Sequence, residues 1–401
     1  MPSFYGLTLW MIWLCLYWFR LIQWDYPSIV TNVIFALVSL FWFASIVCFS
    51  PAYRYHIEST NQLGHQGFPI ASRDWGRIRL LIICLHLVGF WGIVEYVRDF
   101  SQGLGGYSGF LLALTSAPYE IRWQAESISS IGTQISYFGW IAISITLIGI
   151  YHKKLSRWWT ALIVIQFLGN LLFIDRTRPI WIGFTAGLVL LPGIQNINPR
   201  RLIRIACSVL VAFGLVFGLI AAWVGKVVEQ GQYGNTTLPP TLQGIYFYGT
   251  SGFAYFDHMV KVEHRFDFLP QRTIYPFFKA TSALGMSTPP PSQINEFYNM
   301  PFESNVGTFL EPFYRDGGLI FIVIGIVIHS FLFDAIGLLF LKRRHFLTNF
   351  AWANICFINF IAFFTPKIAS LPIWFFEGLG LAVLFLHYQT GPSSRAGRGI
   401  V

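Results

Sequence analysis

Two stretches of this 401-residue chain gather the side chains that could do chemistry. The first is Asp175-Arg176-Thr177-Arg178-Pro179. Thr177 or Arg178 can cap a helix whose first turn takes Pro179, so free amide groups and two guanidinium forks would converge on one point. That combination is a receptor for a diphosphate-like anion. The rival reading is an interfacial ion pair in which Asp175 neutralises Arg176 or Arg178. The second stretch holds Asp257, His258, Lys261, Glu263, His264, Arg265, Asp267, Arg272 and Lys279, followed by Glu296, Glu303, Glu311, Arg315 and Asp316. Arg265 and Arg272 are further anion donors, or else part of a solvated basic face. A transferase that activates a hydroxyl needs a base that is unprotonated near neutral pH. Asp257, His258, Glu263, His264, Glu311 and Asp316 are the available groups, and their spacing does not choose among them.

Absent motifs narrow the chemistry. There is no GxxxxGK[ST] loop for nucleotide phosphates, no HExxH for zinc and no D-x-D pair to hold a divalent ion against a pyrophosphate. The five cysteines, Cys15, Cys48, Cys84, Cys207 and Cys356, lie apart within apolar runs without CxxC spacing, and they read as small buried hydrophobes. Neither a disulfide framework nor a metal centre is expected.

The elements that must position these groups are membrane helices. Charged residues make up 11% of the chain, against roughly 25% in soluble domains, and the mean hydropathy is +0.56. A soluble enzyme is excluded. With 40 Phe, 18 Tyr and 15 Trp, so is a disordered or fibrous chain. Apolar stretches predict about ten spans, at 4–22, 28–49, 79–97, 130–151, 158–174, 179–194, 205–224, 318–341, 348–365 and 369–388, of which 179–194 is marginal in length. The first is expected to be a retained span rather than a cleaved leader.

Placing both termini in the cytoplasm puts Arg54, Arg73, Arg77, Arg79, Lys153, Lys154, Arg157, Arg200, Arg201, Arg204, Lys342, Arg343, Arg344, Arg395 and Arg398 on that side with only Glu58 and Asp74. The opposite side carries acids and cations in near balance. The net charge of +9 is therefore a topology signal, and no nucleic-acid partner is inferred from it. Three regions follow: helices one to seven in 1–224, a large outer segment in 225–317, and helices eight to ten with a cytoplasmic tail in 318–401. The outer segment is long enough to carry function. Its aromatic stretches 243–260 and 306–315 are expected to lie along the membrane surface. His86, Glu95, His329, Asp334 and Glu377 fall inside spans, where ionisable groups are costly and either bond other helices or serve function. No internal repeat is visible, which weighs against a transporter built from inverted halves.

The run ESNVGTFLEPFYRDGG at 303–318, continuing to Gly325, resembles the N-x-x-T-x-x-x-x-x-(Y/F)-x-D-x-G-x-x-G segment before a late span in bacterial O-antigen and exopolysaccharide repeat-unit polymerases of the Wzy type. Asn305, Thr308, Tyr314, Asp316 and Gly318 match. Gly317 stands where an aromatic is common, and the later glycine is displaced to Gly325. The FIDRTR run at 173–178 resembles that family's S-R-T element, and YFYGTSGF at 246–253 is similar to its entry into the catalytic loop. The resemblance covers about 170–390.

What it implies is an all-α polytopic membrane glycosyltransferase of GT-C-like architecture, independent of metal and cofactor, in the bacterial inner membrane with its site facing the periplasm. Donor and acceptor would both be oligosaccharides on undecaprenyl pyrophosphate, among membrane lipids and with a chain-length regulator as a further partner. The family pattern points to Arg176, then Arg178, for the pyrophosphate, and to Asn305 and Asp316; Tyr314 joins Asn305 as a candidate glycan contact. Arg265 and Arg272 rest on the physical argument alone. Asp257, His258, Glu311 and Asp316 stay open as catalytic candidates. An O-antigen ligase, which hands the glycan to lipid A core, and a lipid-linked oligosaccharide flippase are the alternatives.

Overall fold

The computed structural model describes residues 1–62, 75–118, 121, 130–151, 153–173, 177–190, 238–262, 265–292, 295–300, 302–342 and 346–389. They form a membrane-embedded, almost wholly helical protein. The helices are α1 (Pro2–Phe19), α2 (Ile29–Gln62), α3 (Trp75–Gly103), α4 (Tyr107–Ser116), α5 (Ile131–Ile135), α6 (Phe138–Tyr151), α7 (Thr160–Leu171) and α8 (Thr177–Leu190). After them come α9 (Pro240–Val262), α10 (Tyr275–Ala283), α11 (Leu310–Val327), α12 (Phe333–Lys342), α13 (Phe346–Phe360) and α14 (Leu371–Gln389). A two-residue antiparallel ladder pairs β1 (Tyr298–Asn299) with β2 (Glu303–Ser304).

Among the described residues, four segments are long and apolar enough to cross a bilayer: Ile29–His56, Ile78–Gly103, Ile131–Tyr151 and Leu310–Lys342. Within the described residues, the expected spans at 158–174, 179–194 and 348–365 correspond to helices of 12, 14 and 15 residues. The expected span 205–224 lies outside the described residues. The expected span 130–151 is interrupted at 136–137, between α5 and α6.

Three aromatic-rich cores hold the bundle. The first joins α6, α8 and α12 to α14 through Trp140, Trp181, Phe350 and Phe357. The second joins α1, α2, α9 and α11 through Trp10, Trp24, Trp42, Phe253 and Phe309. A smaller one lies between α3 and α4, with Tyr96, Phe100 and Phe110. Three of the ionisable groups in the spans, Asp334, His329 and His86, bond other helices, which offsets the cost of polar atoms in lipid. Asp334 accepts from the Ser3 amide (3.1 Å) and from Ser45 Oγ (2.7 Å), tying α12 to α1 and α2. A π-helical turn at Ile328–Leu332 leaves the His329 carbonyl to accept from Trp42 Nε1 (3.0 Å) and Asn359 Nδ2 (2.7 Å). His86 meets Thr146 Oγ1 at 3.2 Å, and Glu95 accepts from Trp91 and Arg98. Neither carboxylate oxygen of Glu377 has a partner among the described residues.

Two expectations are corrected here. The stretch 243–260 does not lie on a surface: within α9 every residue from 249 to 257 is buried, wedged between α1, α2 and α11. Phe253 packs on Trp10 and Tyr17, Trp24 Nε1 donates to Thr250 Oγ1 (2.9 Å), and a side chain at Gly252 would meet the Phe363 carbonyl at 2.5 Å. The aromatic residues of α9 run round the whole helix, so they need walls on every side and the bundle supplies them. Residues 307–314 are buried likewise. The cysteines also divide: Cys356 is buried, whereas Cys15, Cys48 and Cys84 sit exposed on helix faces, and Cys207 lies outside the described residues. Within lipid an apolar residue is stable facing outward, so hydrophobicity does not say which face is inside.

Candidate functional site

The break in α11 creates the setting of the site. Gly317 and Gly318 leave helical geometry, and Gly318 takes φ 62° and ψ −145°, a conformation that costs glycine little and other residues much. Phe266 packs on the vacant side of Gly318, where a Cβ would lie 2.9 Å from its ring. The break separates a buried N-terminal turn bearing Glu311, Tyr314, Arg315 and Asp316 from the apolar span that follows. That turn meets α9, which in turn holds the connection 20–28 between α1 and α2 through Asp257 and Ser28 and the β1–β2 hairpin through Tyr255 and Tyr298.

Two polar groupings lie here, Asp257 with Lys261 and Glu311 with Arg315, bridged by the adjoining rings of His258, Tyr298 and Tyr255. Asp257 accepts from the Ser28 amide through Oδ1 (2.8 Å) and pairs with Lys261 Nζ through Oδ2 (2.6 Å). Lys261 reaches on to the Tyr26 carbonyl at 3.4 Å. His258, one residue along α9, lies against the ring of Tyr298 at 4.8 Å between centroids, and Tyr298 in turn lies 5.4 Å from the ring of Tyr255. Arg315 donates through Nη2 to Tyr255 Oη (2.9 Å), and its Nε lies 3.4 Å from Glu311 Oε1. Asn295 Nδ2 donates to Glu311 Oε2 at 3.0 Å. Tyr17, Asp25, Ala254, Asp257, His258, Lys261 and Met300 line a cleft of about 50 Å³. That volume holds one or two water molecules and not a sugar ring, so a glycan would have to lie across the mouth of the cleft.

Asp316 occupies a separate corner. Its carboxylate accepts the backbone amides of Arg272 (3.1 Å) and Thr273 (2.8 Å), which folds the 265–274 connection over the α11 break. The Arg272 side chain is half-buried and Arg265 is exposed. Tyr314 is buried among Phe256 and Phe266, with its hydroxyl directed at the Val260 carbonyl (3.5 Å), so its ring fills core space. Asn305 is half-buried, and its carbonyl accepts from Asn295 Nδ2 at 3.3 Å.

Arg178 lies elsewhere. Pro179 does fall in the first turn of α8, but the Arg178 guanidinium turns inward and is buried. It donates to Ser136 Oγ (2.9 Å) and Tyr137 Oη (3.2 Å) and lies 3.8 Å over the Phe173 ring. Cation–π contact of this kind anchors α8 to the α5–α6 break. Arg176, with Asp175, Glu263 and His264, lies outside the described residues.

The structure thus brings Asp257 and His258 to one cleft, joins Glu311 to it through Arg315, Tyr255 and Tyr298, sets Asp316 in a separate corner, and leaves Arg178 in another part of the bundle. The cluster's own cations, Arg315 and Lys261, are named among the outer charges without a role, and its aromatic members, Tyr255 and Tyr298, are not singled out from sequence. A signal existed: Lys261 follows Asp257, and Arg315 follows Glu311, by four residues, the spacing that pairs charges on a helix face.

Fold and cluster together define a polytopic helical membrane protein with an acid–cation–histidine site at one end of its bundle. No known protein family matches the chain, and neither a curated protein nor a solved structure matches it.

Proposed function

We propose that this protein is a metal-independent glycosyltransferase that polymerises lipid-linked oligosaccharide repeat units at the periplasmic face of a bacterial inner membrane. The observation that carries the reading is the cluster of Asp257, His258, Lys261, Glu311 and Arg315, built from the outer segment that the charge asymmetry assigns to the periplasm. The resemblance of 303–318 to repeat-unit polymerases supports it, because the matching segment supplies Glu311, Arg315 and Asp316 to this one end. In this reading ten spans cross the membrane, including those whose helices are short or lie outside the described residues.

The chemistry assigned to the site is a single displacement at the anomeric carbon of the donor. His258 takes the proton from the acceptor hydroxyl, the acceptor oxygen bonds to the anomeric carbon, and the bond from that carbon to the pyrophosphate oxygen breaks. The electron pair leaves with the polyprenyl pyrophosphate. His258 suits the base role because its ring has no hydrogen-bond partner among the described residues, whereas both oxygens of Asp257 are engaged. In this reading Lys261, which lines the cleft with His258, takes the departing charge together with Arg176, whose position the resemblance marks, while Arg315 holds Glu311 and Tyr255 behind it. Glu311, Asn295 and Asp316 hold the α11 turn and the hairpin in place. Tyr298, beside His258, takes the glycan contact in this reading; Tyr314 is packed in the core.

The lipid-linked glycan profile of a deletion strain tests the reading. Loss of a polymerase leaves single repeat units; long lipid-linked chains would instead mark a ligase, and accumulation on the cytoplasmic leaflet a flippase. Complementation with His258→Ala should reproduce the deletion profile at unchanged protein level.

A further inference from the structure

The connection between α1 and α2, residues 20–28, is held more firmly than a loop that merely joins two spans. Ile22 and Trp24 are fully buried while Gln23 and Asp25 are exposed, the alternation of an extended chain lying on a packed surface. Arg20 takes φ 49°, and its Nε donates to the Trp24 carbonyl at 2.9 Å. A non-glycine residue at positive φ persists only where its surroundings hold it. The Leu21 amide donates to Tyr246 Oη (3.0 Å), and Trp24 stacks on Phe247 at 5.3 Å between centroids. Tyr17 Oη donates to the Asp25 carbonyl (3.3 Å), and three residues on the Ser28 amide holds Asp257. The backbone of Asp25 is thus fixed on both sides.

What this rigid connection presents is a free carboxylate. Asp25 lines the polar cleft together with His258 and Lys261, and its side chain has no hydrogen bond or ion pair among the described residues. Asp257, the other acid on the cleft, has both oxygens engaged. Lys261 Nζ reaches the Tyr26 carbonyl, so the connection stands directly beside the end of α9 that carries His258. An unpaired carboxylate repels a diphosphate and accepts strongly from hydroxyls, so the part of a substrate that it fits is neutral sugar. The cleft has room for water alone, which leaves the sugar over its mouth, where Asp25 is exposed and His258 half-buried.

We infer that Asp25 is an acceptor-binding residue, whose carboxylate accepts hydrogen bonds from hydroxyls of the sugar that gives its proton to His258. The inference rests on the reading under Proposed function for the identity of that acceptor. It adds a wall to the glycan site, supplied by the first outer connection and not by the large outer segment.

Binding to the full chain in detergent micelles tests it, with the lipid-linked glycan that accumulates in the deletion strain as the probe, whatever its length. Asp25→Asn keeps the size of the side chain and should weaken binding about tenfold, the worth of one hydrogen bond to a charged acceptor. Asp25→Glu should recover part of the loss. Gln23→Ala, on the same connection but outside the cleft, should bind as the wild type does. With no side-chain contact to lose, Asp25→Asn should also melt as the wild type does in detergent. An unchanged dissociation constant in Asp25→Asn, or an equal loss in Gln23→Ala, would overturn the inference. In a chain-extension assay Asp25→Asn should raise KM for the single-unit acceptor about tenfold and leave KM for the chain-bearing donor unchanged; a rise confined to the donor would overturn the assignment to the acceptor. Chain extension by the wild type with Asp25→Asn indistinguishable from it would sink the Asp25 role alone. Absence of chain extension by the wild type, with binding still dependent on Asp25, would sink the polymerase reading alone.

Discussion

Arg315 offers the sharpest test of the cluster's energetics. Its side chain and that of Glu311 are each only 5% exposed, so solvent screens the pair little, and Nε lies 3.4 Å from Oε1. Arg315→Ala removes the cation, strands a buried carboxylate beside Asn295, and takes a donor from Tyr255. Breaking a buried pair on one side costs about 3–5 kcal/mol, and most of that is the penalty on the charge left behind. Removing both charges in Glu311→Gln/Arg315→Ala should therefore cost less than Arg315→Ala alone, by about 2 kcal/mol or more, and Glu311→Gln alone completes the set. Arg315→Lys should fall between, because it keeps the charge and loses the planar fork, at about 1–2 kcal/mol. Unfolding in mixed detergent micelles, followed by tryptophan fluorescence and analysed as a double-mutant cycle, reads these numbers. A coupling energy below about 0.5 kcal/mol would refute the reasoning, since non-interacting sites add within that margin.

Further outcomes follow from particular positions. Cysteine introduced at Leu284, which is 74% exposed, should label from outside intact cells, and cysteine at Trp158, 87% exposed, only after permeabilisation; the reverse would overturn the topology. Arg176→Ala should abolish polymerisation at near-normal expression, and Arg176→Lys should restore it in part; full activity in Arg176→Gln would leave the residue an interfacial anchor and move the search for diphosphate donors to Lys261. A Cβ at Gly92 would lie 2.4 Å from the Ser136 amide nitrogen, so Gly92→Ala should destabilise the α3–α5 contact by about 1–3 kcal/mol. Gly183 in α8 meets nothing within 4 Å, and Gly183→Ala should instead raise the detergent melting temperature.

Hydropathy and charge determined by themselves that the chain is a helical membrane protein, because removing 20-odd apolar residues from water outweighs every local preference. The 303–318 segment was also visible as a place of interest, since charges cluster where an apolar span begins. What sequence could not reveal was direction. Apolar residues face lipid and protein alike, so Cys15 and Cys356 read the same although one is exposed and the other buried. Tyr314 and Arg315 are neighbours in a charged run, yet the helical turn sends one into the core and the other to Glu311 and Tyr255. Arg178 looked like an outward anion donor because it stands at a helix start; only packing showed that Tyr137 and Phe173 close over it. The lengthwise fate of α9 was likewise decided in three dimensions. Its aromatic surface is as stable against Trp10, Trp24 and Phe309 as against lipid headgroups, and the choice lay with the shape of the space that α1, α2 and α11 leave between them.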